Sequence, residues 1–194
     1  MGLVIVGALN NSQHPVKLLV DTNVWLDYFL ARNGGHSYAA DLIAEAFENE
    51  KVLLYVTSLS MKDVAYQLSS CMKADVRNAE MNVTETISAA ARETAWGCVR
   101  CIMNNAIIAP IGSHEVLQAC TYKQIHDDFE DDLILGAANS IEADGIVTND
   151  KQLTKHSPIV CVSSKEAVEF VRAVTHGCVR DKLDLKAWKS TKAD

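Results

Sequence analysis

Aspartates follow apolar segments at separate points along the 194-residue chain. Asp21 ends "KLLVD", Asp63 comes shortly after "VLLYVTS", and Asp150 follows "GIVTN". Asp131 lies in the acidic stretch "DDFEDD" at residues 127–132. Carboxylates brought together raise each other's pKa unless a cation neutralises them, and hard oxygen ligands select Mg²⁺ or Mn²⁺. Because such ions bind phosphodiester oxygens and activate water, the acids indicate metal-dependent phosphodiester hydrolysis.

Each of these aspartates also has a purely structural interpretation. Asp21 in "DTN" and Asp150 in "TNDK" suit helix caps or turns, and Asp63 suits a first helical turn, where the helix dipole favours an acid. No other catalytic motif competes, since the sequence lacks "GxxxxGK[ST]", "GxGxxG", "HExxH" and "GxSxG". The six histidines show no ligand spacing. The joint placement of the acids at strand ends favours the metal hypothesis.

Helical geometry separates the acids of residues 126–138, "HDDFEDDLILGAA". The apolar stripe that contains Ile134 and Ala138 has the spacing of a buried helix face, and one turn back it reaches Asp131. Asp132 is rotated from that face by about 100°. Asp128 stands where a helix N-cap would accept a backbone N–H bond. We therefore predict that Asp131 points inward, that Asp128 caps the helix, and that the remaining acids are mainly solvated: Asp127, Glu130 and Asp132.

The elements that must position these acids alternate between strands and helices. Strands are predicted at "KLLVDTN", "VLLYVTS", "AIIAPIG", "GIVTND" and "PIVCVS", with helical patterns between them. This alternation predicts an α/β fold with a parallel sheet covered on both faces, where ligands bind beyond the carboxyl ends of the strands. We expect Thr22 or Asn23 to cap the first helix. The last twenty residues predict a short helix or a tail.

Composition bounds the class of protein. Hydrophobic residues make up 48% of the chain and charged residues 22%, as in a globular domain with a sizeable core. The net charge of −7 argues against a protein that coats nucleic acid through a basic face, but not against an enzyme that reaches phosphates through bound cations. No apolar run approaches the roughly 20 residues that span a bilayer. The opening "MGLVIVGALNNS" lacks the basic start of a signal peptide, so we expect a cytoplasmic protein without a membrane partner.

The pattern of the six cysteines is also typical of a cytoplasmic protein. They are scattered and predict buried thiols rather than a disulfide framework. Cys98 and Cys101 form a C-x-x-C within a helical stretch that has no second ligand pair, which favours packing over a zinc or redox site.

Four segments together resemble the PIN-domain nucleases, with the greatest similarity to the bacterial branch of VapC-type toxins. They are "LLVDTNVWLDYFL", "YVTSLSMKDVAYQL", "DFEDDLILGAANSIEADGIVTND" and "PIVCVSSKEAVEF". The resemblance implies a three-layer α/β/α fold whose central, twisted sheet is mostly parallel. It divides the chain into an N-terminal arm (residues 1–16), a PIN domain (17–171) and a C-terminal tail or short helix (172–194).

The resemblance also implies roles for individual residues. Asp21, Asp131 and Asp150 would bind the divalent metal, Mg²⁺ or Mn²⁺. The family's remaining catalytic acid is usually a glutamate, and Asp63, one methylene shorter, occupies its place. Asp63 and Asp132 are candidates for additional ligands, although Asp132 stands where the family usually has a small residue. The resemblance implies that four polar residues support the site through hydrogen bonds: Thr22, Asn23, Thr148 and Asn149.

The implied function is a metal-dependent endoribonuclease in which water attacks phosphorus, leaving a 5′-phosphate and a 3′-hydroxyl. Family members are commonly homodimers, and the toxins are held inactive by an antitoxin that covers the cleft. The negative net charge and the aspartate at position 63 favour an alternative, in which the protein is a catalytically weak PIN-like module that binds RNA or a protein partner. A phosphatase of the haloacid dehalogenase type is disfavoured, because Asn23 occupies the place of that family's second aspartate. Five lysines are candidates either for the RNA path or for ordinary solvated surface: Lys62, Lys73, Lys123, Lys151 and Lys155.

Overall fold

A single parallel sheet forms the centre of the molecule. The computed structural model describes residues 14–32, 34–124, 127–176 and 184–190. Within these residues the strands are β1 (Val16–Val20), β2 (Val52–Thr57), β3 (Ile107–Ala109), β4 (Gly145–Val147) and β5 (Cys161–Val162). Their order in the sheet is β3-β2-β1-β4-β5, and every pairing is parallel. The predicted parallel α/β sheet is confirmed.

The order of the strands reverses direction beside β1. The chain runs from β1 outward through β2 to β3, and then returns to add β4 and β5 on the other side of β1. In the β1–β4 pairing, Leu18 lies opposite Gly145 and Leu19 opposite Ile146. In open parallel sheets the crevice at such a switch point, beyond the carboxyl ends of the strands, is the usual place for a ligand.

Helices cover both faces of the sheet. The first four are α1 (Thr22–Leu30), α2 (Gly35–Phe47), α3 (Ser58–Asn78) and α4 (Glu85–Asn105). They are followed by α5 (Ser113–Tyr122), α6 (Phe129–Ser140), α7 (Lys151–His156), α8 (Ser164–Thr175) and α9 (Asp184–Ser190). No helix among the described residues is both long and apolar enough to cross a membrane.

The core consists of two hydrophobic clusters, one on each face of the sheet. Leu18 and Val20 point to one face, where they join residues of α1, α2, α3, α4 and α8. Leu19, between them, points to the other face and joins residues of α6 and α7. This alternation of side chains along a strand produces the predicted three-layer α/β/α architecture.

The cap of α1 differs from the expectation. We expected Thr22 or Asn23 to cap this helix, but the N-cap is Asp21, whose carboxylate accepts the backbone N–H of Thr22. The strand ends one residue earlier than the "DTN" pattern suggested, which leaves the aspartate in the extended conformation that an N-cap requires. As a result, α1 begins directly at the end of the central strand.

The ends of the chain lie partly outside the described residues. Most of the predicted N-terminal arm, residues 1–13, lies outside the described residues. Near the other end, α8 continues to Thr175 and the short helix α9 follows. The five cysteines in the described residues are free thiols, but only Cys161 is buried and Cys120 is exposed, so the expectation of buried thiols was wrong for most of them.

Candidate functional site

Asp21 is placed by the end of β1 at the switch point. Its backbone N–H donates to the carbonyl of Val147 in β4, which fixes the residue between the two strands. The side chain is buried, at 6% exposure. A carboxylate removed from water in this way needs hydrogen-bond donors or a cation.

Polar groups that follow β1 and β4 surround the Asp21 carboxylate. Thr148 Oγ1 donates to Asp21 Oδ2 at 2.7 Å, and Asn23 Nδ2 donates to the same oxygen. Asn23 Oδ1 accepts the backbone N–H of Asn149 at 3.0 Å. The hydroxyl of Thr22 is buried without a hydrogen-bond partner in the described residues, while its backbone N–H binds Asp21. The four polar residues implied as supports are thus gathered around this aspartate.

Asp150 caps the helix that follows β4. Its Oδ1 accepts the backbone N–H of Gln152 at 2.6 Å, which makes it the N-cap of α7. Its own backbone N–H donates to Thr148 Oγ1 at 3.0 Å. The Thr148 hydroxyl therefore links Asp150 to Asp21.

The first turn of α6 supplies the remaining acids. Asp128 is the N-cap, as predicted, and accepts the backbone N–H groups of Glu130 and Asp131. Asp131 is half-buried, whereas Asp127 is exposed, as expected for a solvated acid. Glu130 is exposed on average, yet it lies on the wall of the cavity described below.

The prediction that Asp132 is mainly solvated was wrong. Its side chain is buried, at 2% exposure. The helical face that carries Asp132 continues through Gly136 and Ser140, and both of these contact Glu115 of α5. The helical wheel identified the face of α6 that packs on the sheet, but it could not show that a second helix covers the adjacent face.

Asp63 lies beside the other acids without joining them. It forms an ion pair of 2.6 Å with Lys62, and its side chain is 15% exposed. Its charge raises the pKa of Glu130, so the two carboxylates are close in space. One helical turn further along α3, Gln67 lines the cavity, and Asp63 is not among the lining residues.

One cavity of about 280 Å³ collects these groups at the switch point. Among the described residues, five carboxylates line it, together with Thr22, Asn23, Arg32, Gln67 and two apolar residues. The carboxylates are Asp21, Asp128, Glu130, Asp131 and Asp150. They come from the ends of two strands and from the first turn of α6, so segments far apart in the sequence form one acidic site.

Burial and neighbouring negative charges raise the pKa of two acids in the cavity. Burial is the main cause that raises the pKa of Asp21 from 3.8 to about 6, and the charges of Asp150 and Glu130 add to it. The hydrogen bonds from Thr148 and Thr22 partly offset this rise. Burial also raises the pKa of Glu130, with further contributions from Asp63 and Asp128. The site is therefore short of positive charge near neutral pH.

The family follows from comparison with known proteins. A family model described as PIN domain matches residues 17–152. The chain belongs to the PIN-domain family. The matched residues run from β1 into α7 and contain all four acids predicted to be catalytic.

Solved structures share the fold of this PIN domain. VapBC2 from Rickettsia felis bound to a DNA fragment from its promoter is 11% identical, with a TM-score of 0.51, and the match covers 76% of this chain and 98% of that chain. DNA-bound VapBC from Salmonella typhimurium is 11% identical, with a TM-score of 0.54, and the match covers 77% and 98%. At this identity the likeness establishes the fold. A comparison with curated proteins gave no match.

The lining of the cavity in this PIN domain suits a hard divalent cation. The charged groups in it that can bind a metal are carboxylates, and no histidine or cysteine is among the described lining residues. Within the described part of the chain, no three His, Cys, Asp or Glu side chains form a preassembled metal cluster. Mg²⁺ usually keeps several of its waters and takes only one or two carboxylates directly. The donor set therefore fits Mg²⁺ or Mn²⁺ held partly through water.

Sequence reasoning missed three polar residues near the cavity. Arg32 and Gln67 line it, and Asp27 pairs with Arg32 at 3.1 Å. Gln67 could have been found as the residue one turn after Asp63 on the same face of α3. Arg32 carries no such signal, because its position depends on the loop between α1 and α2.

Proposed function

We propose that this PIN domain is a divalent-metal-dependent endoribonuclease, with Asp21, Asp131 and Asp150 as the metal-binding and catalytic acids. The observation that supports this proposal most directly is the single cavity at the β1–β4 switch point that all three acids line. The raised pKa of Asp21 adds to it, because a buried carboxylate among other acids is stabilised when a cation binds.

The protein's own residues prepare the site. Asn23 and Thr148 donate to Asp21 and hold its carboxylate in one orientation. Asp150 is held by its cap bond to α7, and Asp131 by the cap that Asp128 provides. A bound Mg²⁺ or Mn²⁺ would supply an activated water and would neutralise charge on the phosphate. The expected products carry a 5′-phosphate and a 3′-hydroxyl.

Asp63 and Asp132 receive no ligand role in this proposal. Asp63 already pairs with Lys62, and Asp132 is buried on the side of α6 that faces α5. Asp63 acts instead through its charge on Glu130 at the edge of the cavity.

Lysines beside the acidic cavity support a path for the RNA backbone. Lys151 and Lys155 line a second cavity of about 350 Å³, which has Asp150 in its wall as the acidic cavity does. Lys189 of α9 lines the same second cavity. Cations next to a cleavage site attract phosphates, so these side chains offset the acidic balance of the whole chain.

Cleavage of RNA by matched variants tests the proposal. Purified protein is incubated with a structured RNA and Mn²⁺, and the products are mapped at their ends. Wild type is expected to cleave, Asp21→Asn to lose at least a hundredfold in rate, and Asp75→Asn to match wild type. Asp75 is an exposed acid of α3 outside the cavity lining, so it controls for the loss of one charge. Equal rates for wild type and Asp21→Asn would remove the assigned site.

A second candidate is a PIN domain that binds RNA or a protein partner with little catalysis. It is favoured by the position of Asp63 outside the cavity lining and by the lack of a preassembled metal cluster in the described residues. Calorimetry with Mn²⁺ discriminates between the two. Binding that is lost in Asp21→Asn supports the nuclease, and no binding at millimolar Mn²⁺ supports the module.

We further propose that the protein is the toxin of a toxin–antitoxin pair and forms a homodimer. The sequence motifs resemble VapC-type toxins, and two solved structures that share the fold are VapBC complexes. The expected antitoxin is a small protein encoded next to this gene. Co-expression of the neighbouring reading frame should relieve growth arrest and abolish cleavage, and light scattering should give the mass of a dimer. Cleavage that the neighbouring product leaves unchanged would point to a housekeeping nuclease.

A further inference from the structure

Arg32 stands out among the residues that line the acidic cavity. It lies in the loop between α1 and α2, directly after Ala31, which ends α1 in the left-handed conformation. Among the described residues that line this cavity it is the only basic one, and it faces a lining that contains five carboxylates. An arginine at this place either neutralises its neighbours or meets an anion that enters the cavity.

Two hydrogen bonds fix the guanidinium group of Arg32. Its Nε donates to Asp27 Oδ1 at 3.1 Å, and its Nη2 donates to the backbone carbonyl of Asn23 at 3.1 Å. The side chain is still 37% exposed. An arginine carries five N–H donors. Within the described part of the chain two of them are used by these bonds, and three can donate to a ligand. The group is oriented in advance and retains donor capacity.

The partner of Arg32 is itself held in place. Asn149 Nδ2 donates to Asp27 Oδ2 at 2.9 Å, and the Asp27 side chain is only 15% exposed. A Cβ at Gly35 would lie 2.7 Å from the same Asp27 oxygen, so the start of α2 leaves room for this carboxylate only because residue 35 has no side chain. Asp27, a residue of α1, is therefore held by contacts with α2 and with the segment after β4, and it positions Arg32.

The bonds of Arg32 also connect it to the proposed metal ligands. The carbonyl that accepts from Arg32 belongs to Asn23, whose side chain donates to Asp21. Asn149, which holds Asp27, donates its backbone N–H to that Asn23 side chain. The guanidinium and the Asp21 carboxylate are thus parts of one hydrogen-bonded unit, and their separation is fixed.

We propose that Arg32 binds a phosphate of the nucleic-acid strand, next to the scissile one, and that Asp27 is its positioning residue. The inference rests on the proposed nuclease function and names the contact that holds the substrate there. A planar guanidinium donates two parallel bonds to phosphate oxygens, which suits an anion held in one register. Asp27 holds Nε and the Asn23 carbonyl holds Nη2, so the Nη1 side of the guanidinium is presented to the strand with less rotamer freedom to lose on binding.

Binding without metal tests the contact independently of cleavage. Affinity for a labelled single-stranded RNA is measured in EDTA over a range of salt concentrations, for wild type, Arg32→Ala and Arg100→Ala. Arg100 is a matched control, because it is an exposed arginine of α4 that pairs with Glu93 at 3.0 Å, outside the cavity lining. One lost phosphate contact reduces the slope of log K against log salt by about 0.7 for a single strand. We expect this change, with about tenfold weaker binding, for Arg32→Ala only.

Two binding results would overturn the inference. One is an unchanged slope in Arg32→Ala, and the other is a wild-type protein that does not bind RNA. A purely structural role for Arg32 would lower the melting temperature without changing the slope, so melting curves are recorded beside the titrations. If wild type fails to cleave RNA with Mn²⁺, that result would count against the proposed function. It would not affect the conclusion from RNA binding measured in EDTA.

Kinetics and a second pair of variants test the positioning by Asp27. With Mn²⁺ present, Arg32→Ala is expected to raise KM about tenfold and to change kcat by less than twofold. Gly35→Ala keeps every charge but displaces the Asp27 carboxylate, and Asp27→Asn keeps its shape but weakens the ion pair. Both should raise KM about threefold, with Mn²⁺ affinity unchanged. A wild-type KM in both would show that Asp27 does not position Arg32.

Discussion

Asp21 and Asp150 each use carboxylate oxygens to cap the helix that they precede. Asp21 accepts the backbone N–H of Thr22, and Asp150 accepts that of Gln152. Capping and ligand binding are therefore compatible roles at these positions, because the cap bond fixes the side chain that the metal would meet. The structural interpretation of each aspartate and the functional one describe the same geometry.

The pKa of Asp21 predicts how the metal-free protein responds to pH. The folded-state pKa of about 6 exceeds the unfolded value of 3.8, so the folded protein binds the proton more tightly. Stability from this group is complete below about pH 3.8 and is lost as the pH rises through 6. In EDTA, Asp21→Asn should therefore melt about 3–6 °C above wild type at pH 7.5, and this difference should shrink to about a third at pH 4.5.

Calorimetric melting curves between pH 4.5 and 7.5 check this prediction. Asp75→Asn is the control, and its difference from wild type should not depend on pH. Addition of Mn²⁺ at pH 7.5 should raise the melting temperature of wild type and leave that of Asp21→Asn unchanged. A constant difference between Asp21→Asn and wild type across this range would contradict the raised pKa.

Local patterns predicted the positions of two acids at the start of α6. Helical periodicity placed Asp131 at the inner end of a buried stripe, and cap spacing identified Asp128. Both inferences used residues within two turns of each other. Asp132, Arg32 and Asp27 depend on contacts between elements distant in sequence, namely the packing of α5 on α6 and the path of the α1–α2 loop. No spacing along the chain reports such contacts.

At the level of elements, α6 is buried on two sides. Its apolar residues face the sheet, while Gly136 and Ser140 face α5. Glu115 of α5 accepts bonds from Ser140 Oγ and from the backbone N–H of Gly112, and the bond from Ser140 is the main cause that lowers its pKa. The helix that carries Asp131 is therefore fixed from both sides, which fixes the acid relative to β1 and β4.

The close approach of α5 and α6 predicts the cost of a single methyl group. A Cβ at Gly136 would lie 2.9 Å from the carbonyl oxygen of Glu115, so the two backbones must move apart. Gly136→Ala should lower the free energy of unfolding by about 1–3 kcal/mol. Gly97 of α4 has no atom nearer than 3.9 Å to its ideal Cβ, and Gly97→Ala should raise the free energy of unfolding by about 0.5–1 kcal/mol.

Urea unfolding of both alanine variants measures this difference. The matched pair separates the effect of crowding from the higher helix propensity that alanine brings to both positions. Equal stabilisation in the two variants would show that α5 and α6 do not approach as closely as described.

The alternation of strands and helices was predictable because each element carries its own periodicity. β2, β3, β4 and β5 fall within the segments expected as strands, and helices lie between them as expected. The strand order was not predictable in this way, because register depends on pairings between residues more than a hundred positions apart. For the residues of α9 the sequence predicts either a short helix or a tail, since they show no clear period.

At the level of the whole molecule, α9 closes the sheet near β4. Leu185 is 2% exposed and packs against Gly145, where any side chain would collide with it. The rings of Trp188 and Phe170 meet edge to face, with centroids 5.5 Å apart. The helix lies outside residues 17–152 that match the PIN family model, yet it completes the core of this protein.

Removal of the Leu185 side chain tests whether α9 belongs to the cooperative core. Leu185→Ala should lower the free energy of unfolding by about 2–4 kcal/mol, because the site is fully buried. Lys186 is exposed on the same helix, and Lys186→Ala should change stability by less than about 0.5 kcal/mol. Urea unfolding of both variants gives the two values. Equal, small effects would mean that α9 detaches before the domain unfolds.

The pairing of β4 with β1 has a consequence for the synthesis of the protein. The Thr148 hydroxyl that holds Asp21 comes from 127 positions later in the chain, and Asp150 follows it. Since a ribosome delivers the chain from its N-terminus, every nascent product that stops before β4 lacks both Asp150 and the hydroxyl that holds Asp21. Under the proposed nuclease function, truncated translation products would be harmless to the RNA around them, including the message from which they are made.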